Sequence, residues 1–225
     1  MTEMAHVLVA GASRGVGREV VKCLREQDQT VTALLRSEAA RAELEAMGVA
    51  IALADALNVE AVEAALLEAP PIDALISTIG GLPSEGERAD YKGNKHLIDA
   101  AVKAGVKHFI LVSSIGAGKS VDALPPHVLE ALGEVLKEKE LAEDYLMASG
   151  LPYTIIRPGG LLSEPSGGEA VLTEDYRVAG SIRRADVATL VCQCLTSERA
   201  KNRVFSAVDR SKLYGDPAFE VFSFT

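Results

Sequence analysis

The sequence has no tryptophan, and phenylalanine and tyrosine together supply only 4% of its 225 residues. Hydrophobic residues nevertheless make up 48%, enough for the core of one large domain spanning 1–225. With so few rings, alanine, valine and leucine must fill that core, as they do where helices are layered on a buried parallel sheet. Cysteine is also scarce: Cys23, Cys192 and Cys194 are too few, and too oddly spaced, for a disulfide framework or a metal quartet. Cys192 and Cys194 fall in an apolar helical stretch and read as buried structural thiols. His6, His96, His108 and His127 have no metal-ligand spacing, and no Ser-His-Asp or Cys-His set emerges, so no metal is expected. Positive charge is in deficit, with a net charge of −9, and no basic stripe appears, which argues against a nucleic-acid partner. No apolar run reaches the ~18 residues that read as a membrane span. Residues 1–5 lack a secretory-leader pattern, so a cytoplasmic, reducing compartment is the expectation.

What is present is organised around residues 6–17, His-Val-Leu-Val-Ala-Gly-Ala-Ser-Arg-Gly-Val-Gly. An apolar run of strand length ends at Ala10, glycines 11, 15 and 17 punctuate a turn, and Val16, Val20, Val21 and Leu24 then recur at helical spacing. Strand, glycine turn and helix in that order place unpaired backbone N–H groups at a helix start, where they favour an anion such as a dinucleotide pyrophosphate. Taken alone, the pattern also suits an ordinary glycine turn.

Further strands are expected at 30–35, 49–54, 72–77, 108–113, 153–157 and 203–208, alternating with helices at 38–47, 59–67, 92–104, 128–148 and 185–195. Ser37 is positioned to cap the first of these helices, and Gly48 to end it. Residues 161–181 are rich in glycine and serine and read as mostly irregular. The alternation predicts an α/β, Rossmann-type, doubly wound parallel sheet of about seven strands, with 160–181 and 209–225 forming a small substrate-side region. Ligands in such sheets lie outside the carboxyl ends of the strands. Here those ends are 11–17, Arg36, Asp55, 78–81, 113–118 and 158–160.

Arg36 stands nineteen residues past Gly17, where an NAD-preferring site usually carries Asp or Glu for the ribose hydroxyls. A guanidinium there can hold a 2′-phosphate or stack on adenine, and Arg14 can share that phosphate, which favours NADP(H) over NAD. The bland alternative for Arg36 is a solvated loop charge.

The glycine turn resembles the cofactor fingerprint of the short-chain dehydrogenases/reductases. Ser-Thr-Ile-Gly-Gly at 77–81, Val-Ser-Ser-Ile-Gly at 112–116, Ser-Gly-Leu-Pro-Tyr-Thr-Ile-Ile-Arg-Pro-Gly at 149–159 and Ser-Ile-Arg-Arg-Ala-Asp-Val-Ala at 181–188 resemble the atypical NAD(P)-binding branch of that superfamily. That branch includes biliverdin/flavin reductase-like proteins and NmrA-like redox sensors. The resemblance implies that Gly11, Ser13, Arg14, Gly15, Val16 and Gly17 wrap the cofactor. It places Asp55 and Ala56 against the adenine, and Thr78, Ile79 and Gly80 beside the adenosine ribose and pyrophosphate. Ser113 or Ser114 would face the nicotinamide, Lys139 its ribose, and Pro158 and Gly159 its amide. Arg184 and Asp186 match an element that is mainly structural. Lys139 also sits in the charged run 137–140, which suits a solvated helix face.

The chain departs from the superfamily at one position. The Tyr of the catalytic Tyr-x-x-x-Lys is absent: Val135 stands four residues before Lys139, and Tyr145 and Tyr153 are out of register. A hydride can still move to an electrophilic conjugated acceptor such as a flavin, quinone, bilin or carbonyl compound, with water or a Ser113 or Ser114 hydroxyl delivering the proton. Ser113, Ser114 and Lys139 are therefore the expected catalytic residues of an NADPH-dependent oxidoreductase acting on a small molecule. The acceptor pocket would be roofed by 82–90, 161–181 and the aromatic tail, in which Tyr214, Phe219 and Phe222 either stack on the acceptor or pack against the sheet. His127 is either an acid at the crevice or a helix-terminal surface residue. The alternative function is a non-catalytic NADP-binding sensor or a module that docks a protein partner; an epimerase or isomerase would want the missing Tyr. A monomer is expected, because no extended apolar surface helix is evident.

Overall fold

The computed structural model describes residues 5–80 and 87–224. Strand β1 (His6–Ala10) leads through the glycine turn into helix α1 (Gly15–Glu26). The chain continues through β2 (Thr30–Leu35), α2 (Arg41–Ala46), β3 (Ala50–Leu53), α3 (Val59–Leu67), β4 (Ala74–Ser77), α4 (Lys92–Ala104), β5 (His108–Val112) and α5 (Pro126–Ala148). It ends with β6 (Tyr153–Pro158), β7 (Gly160–Leu162), β8 (Ala170–Thr173), β9 (Ser181–Arg183), α6 (Arg184–Thr196) and β10 (Arg203–Asp209).

The main sheet runs β3-β2-β1-β4-β5-β6-β10-β8, parallel throughout except for the β10–β8 pair. Its first six strands follow the order of a dinucleotide-binding Rossmann sheet. Because β1 is buried on both faces, its successive residues feed two separate cores. Val7 and Val9 join the layer of α1 and α6. Leu8 and Ala10 join the layer of α3, α4 and α5. The sheet grows one way from β1 through β2 and the other way through β4, so a crevice opens between β1 and β4 at their carboxyl ends. Ala10 lies level with Leu34 of β2 and Ser77 of β4, which brings the three following turns to one edge.

The main sheet is of the expected Rossmann type, with close to the seven or so strands anticipated among the described residues. It has eight, and β7 and β9 pair as a second, two-stranded sheet. The additional elements fall largely in the stretch read as irregular; each is three or four residues long, too short to show a period. The helix expected at 38–47 is a 3₁₀ turn over Glu38–Ala40 followed by α2, and Ser37 makes no side-chain cap. Helix α5 begins at Pro126, a residue tolerated in the first turn because its missing N–H would be unpaired there anyway. Cys192 and Cys194 are buried as expected, and burial pushes the Cys194 thiol up to about 12. Among the described residues no helix is long and apolar enough to cross a membrane.

Candidate active site

A cleft of about 1390 Å³ follows the carboxyl edge of the sheet. Every residue singled out from the sequence as cofactor-binding or catalytic lines it, from Gly11 at one side to Gly159 at the other. Of the expected roof, 82–86 lies outside the described residues, while Glu87, Arg88, Ala89 and Leu161 line the cleft.

At the glycine turn the backbone is packed against itself. Gly11 has φ +87°, and a Cβ on Gly17 would stand 2.2 Å from the Gly11 carbonyl oxygen and 2.5 Å from Thr78 Oγ1. Only hydrogen fits there. Thr78 ties the turn to β1, its N–H and its hydroxyl both donating to the Ala10 carbonyl at 2.9 and 3.1 Å. Arg18, buried one turn into α1, braces the turn from below by donating to the carbonyls of Ala12 (3.3 Å) and Ser13 (3.0 Å). The start of α1 has neither a side-chain cap nor an acidic residue in its first turn. Such a terminus suits an anionic ligand. Arg14 and Arg36 are exposed on the cleft, and neither has an ion-pair partner among the described residues. Asp55 also lines it, and its Oδ1 accepts from the Leu57 N–H at 2.9 Å, so it shapes its own turn as well.

Lys139 does not lie on a solvated face. Its Nζ sits 3.0 Å from Oδ1 of the fully buried Asp90. A Cβ on Gly80 would come within 2.3 Å of that carboxylate and 2.9 Å of the ammonium, so the backbone at Gly80 lies directly over the pair. Asp90 is set in place through Asn94, which donates to the Asp90 carbonyl (2.7 Å) and accepts from Ser77 Oγ (2.6 Å). Sequence reasoning missed Asp90 and Asn94, which carry no local pattern.

One turn beyond Lys139, Glu143 reaches the end of β5. It accepts the Ser113 hydroxyl proton and is gripped by Arg157, whose Nε lies 3.1 and 3.2 Å from its two oxygens. Glu143 is 1% exposed, and the buried pair satisfies itself. Ser114 Oγ donates to the Ile115 carbonyl at 2.9 Å. Both hydroxyl hydrogens are thus committed to the protein, which leaves each serine oxygen able only to accept. Glu143 and Arg157 were not anticipated as part of the site, although Arg157 lies within one of the quoted motifs.

The far end of the cleft is mostly apolar. Leu124, Pro125, Val128 and Leu132 line it beside His127, an exposed residue of the first turn of α5 that also borders the crevice, so neither of its two alternatives is removed. Gly159 is confined by the chain opposite, a Cβ there lying 2.1 Å from the Gly180 oxygen. Of the three aromatic tail residues named from sequence, only Tyr214 lines the cleft. Its N–H donates to the Ala179 carbonyl (2.9 Å), and its hydroxyl shares a hydrogen bond with Ser181 Oγ (3.1 Å). Phe219 packs on a small core cluster, and Phe222 stacks on Phe205 at 4.5 Å, so both take the packing role. Asp186 accepts from Ser166 Oγ and from the Gly167 N–H, a structural role, whereas Arg184 lines the cleft.

The chain is 36% identical over 213 residues to a Bacillus subtilis protein named as an uncharacterized sugar epimerase, covering 90% of this chain and 94% of that one. It is 32% identical to sanguinarine reductase of Eschscholzia californica, covering 93% and 91%. The solved structure of ChuY, an anaerobilin reductase from Escherichia coli O157:H7, superposes with a TM-score of 0.84 at 34% identity, over 95% of this chain and all of that one. The family described as NAD(P)H-binding matches residues 11–198, and the chain belongs to that family.

Proposed function

We propose that this protein is an NADPH-dependent reductase of a flat, conjugated small molecule. The observation that carries the reading is the asymmetry of the cleft: two guanidiniums without ion-pair partners among the described residues at one end, a glycine cradle in the middle, and a mostly apolar wall edged by His127 and Tyr214 at the other. When bound, the cofactor supplies a hydride. Arg14 and Arg36 hold the 2′-phosphate and select NADP(H) over NAD. The turn of Gly11, Ser13, Gly15, Val16 and Gly17 takes the pyrophosphate, and Thr78, Ile79 and Gly80 run along it. Lys139, fixed by Asp90, meets the ribose hydroxyls. Pro158 and Gly159 form the floor against which the nicotinamide lies. The chain's contribution is chiefly orientation and exclusion of water. With Ser113 and Ser114 both donating inward, proton delivery to the acceptor falls to water or to His127. The two reductases among the relatives support this reading over the epimerase named for another.

A second reading, a non-catalytic NADP(H) sensor, is favoured by one feature: Val135 is buried where the superfamily's Tyr would stand. Turnover separates the two. NADPH oxidation is followed at 340 nm against flavins, quinones, bilins and aldehydes, after binding of NADPH and NADH is compared by thermal shift. The reductase reading expects NADPH to bind more tightly than NADH and to be consumed with a planar acceptor. Binding without turnover across the panel selects the sensor.

A further inference from the structure

Arg183 and Arg184 are neighbours in sequence with opposite surroundings. Arg183 points into an acidic nest, bonded to Asp209 and lying 3.3 Å from Glu164. Arg184, the first residue of α6, has no carboxylate within ion-pair distance among the described residues. Its Nη1 donates only to neutral oxygens, Ser163 Oγ at 2.7 Å and the Leu161 carbonyl at 3.3 Å. These two bonds hold the side chain across the mouth of the glycine turn, with Nε 3.8 Å from where a Cβ on Gly15 would stand. The same guanidinium lines both the main cleft and a smaller pocket that shares Arg14 and Gly15 with it. The carboxylates of that smaller pocket are engaged elsewhere, Glu19 with Lys22 and Glu164 with Arg183 and Lys212. A cation left without a counter-ion, in a chain of net charge −9, faces the uncapped start of α1.

We propose that Arg184 is a diphosphate-binding residue: its free N–H groups close over the pyrophosphate from the side opposite the α1 backbone. The inference rests on the dinucleotide reading above and goes beyond it, because it separates two kinds of arginine. Arg14 and Arg36 read the 2′-phosphate and discriminate between cofactors, whereas Arg184 contacts a group that NADPH and NADH share and does not discriminate. It also joins α6 to the binding event, since Arg184 starts that helix and α6 packs along α1.

The test is calorimetric titration of NADPH, NADH, ADP and adenosine 2′-monophosphate into wild type, R184A and R184K. A charge-assisted bond to phosphate lost on truncation predicts affinities for NADPH, NADH and ADP reduced by about tenfold each in R184A. Adenosine 2′-monophosphate, which has no diphosphate, binds unchanged, and R184K recovers part of the loss. Unchanged affinities for all four ligands overturn the proposal, and so does a loss confined to NADPH and adenosine 2′-monophosphate. Thermal unfolding of the ligand-free variants accompanies the titration; should R184A not fold, R184Q replaces it under the same criteria. Wild-type protein that binds neither dinucleotide sinks the cofactor reading itself, an outcome distinct from any seen only in the variants.

Discussion

The Ser113 hydroxyl donates its proton to Glu143, so the serine offers the cleft an acceptor and not a donor. A partner with an N–H or O–H, such as the nicotinamide carboxamide, satisfies that lone pair. Ser113→Ala is therefore expected to lower kcat/KM by about tenfold, the worth of one hydrogen bond, with the shape of the pH–rate profile unchanged. Loss of a limb of that profile would instead make Ser113 the proton donor.

Removing Glu143 has a larger effect on folding than on chemistry. Glu143→Ala leaves the buried Arg157 guanidinium without its counter-charge, which typically costs about 3–5 kcal/mol. Urea unfolding measures the loss; a change under 1 kcal/mol would mean that Arg157 finds water or another acceptor.

Arg36→Asp places an acid where NAD-selective sites carry one. NADPH affinity is expected to fall by at least about tenfold, the scale of one charge-assisted contact, with NADH affinity unchanged or improved. Equal losses for both cofactors would remove Arg36 from the 2′-phosphate.

His108 makes stability depend on pH. It is buried between strands, its Nε2 2.9 Å from Thr154 Oγ1, whose own proton goes to the Ala200 carbonyl (2.8 Å). Nε2 must then carry the hydrogen, and Nδ1 has no partner among the described residues. Burial, with help from the Lys201 charge, pushes the imidazole down to about 4. The unfolded chain binds this proton near pH 6.5, so between there and about 4 it holds more protons than the folded one. Stability is complete above pH 6.5 and falls as the pH drops toward 4, by up to about 3 kcal/mol. His108→Gln should flatten that part of the stability–pH curve; an unaltered slope would assign it to other groups.

Two glycine substitutions should move in opposite directions. Gly17→Ala drives a methyl into the Gly11 carbonyl and should cost about 1–3 kcal/mol, as overpacking does, and weaken dinucleotide binding. Gly133, within α5, has open space around it, and Gly133→Ala should stabilise by about 1 kcal/mol. Thermal unfolding of the pair distinguishes steric demand from mere helix weakness.

The central strands were legible because continuous apolar runs such as 7–10 and 109–112 have few other uses in a chain with turn residues at both ends. The glycine turn was legible because close backbone approach excludes most residue types. Strands β7, β8 and β9 left no period to read, and their partners lie well away in sequence, β8 pairing with β10 and accepting from the Phe222 N–H of the tail. The buried carboxylates were hidden for a related reason. Asp90 and Glu143 look like any of the chain's 32 acidic residues until the fold brings Lys139 and Arg157 to them. Lys139 itself, inside a charged run, was ambiguous until Asp90 fixed it.

The placement of β10 between β6 and β8 also means that the two ends of the cleft come from widely separated parts of the chain. The glycine turn, Arg36 and Thr78 follow β1, β2 and β4 within the first 80 residues, but Lys139 and Arg184 line the same cleft from α5 and α6. Tyr214, at the other end of the cleft, follows β10 and donates its N–H to the Ala179 carbonyl. The cleft is therefore built from nearly the whole length of the chain, and no fragment that stops before α6 contains all the residues that line it.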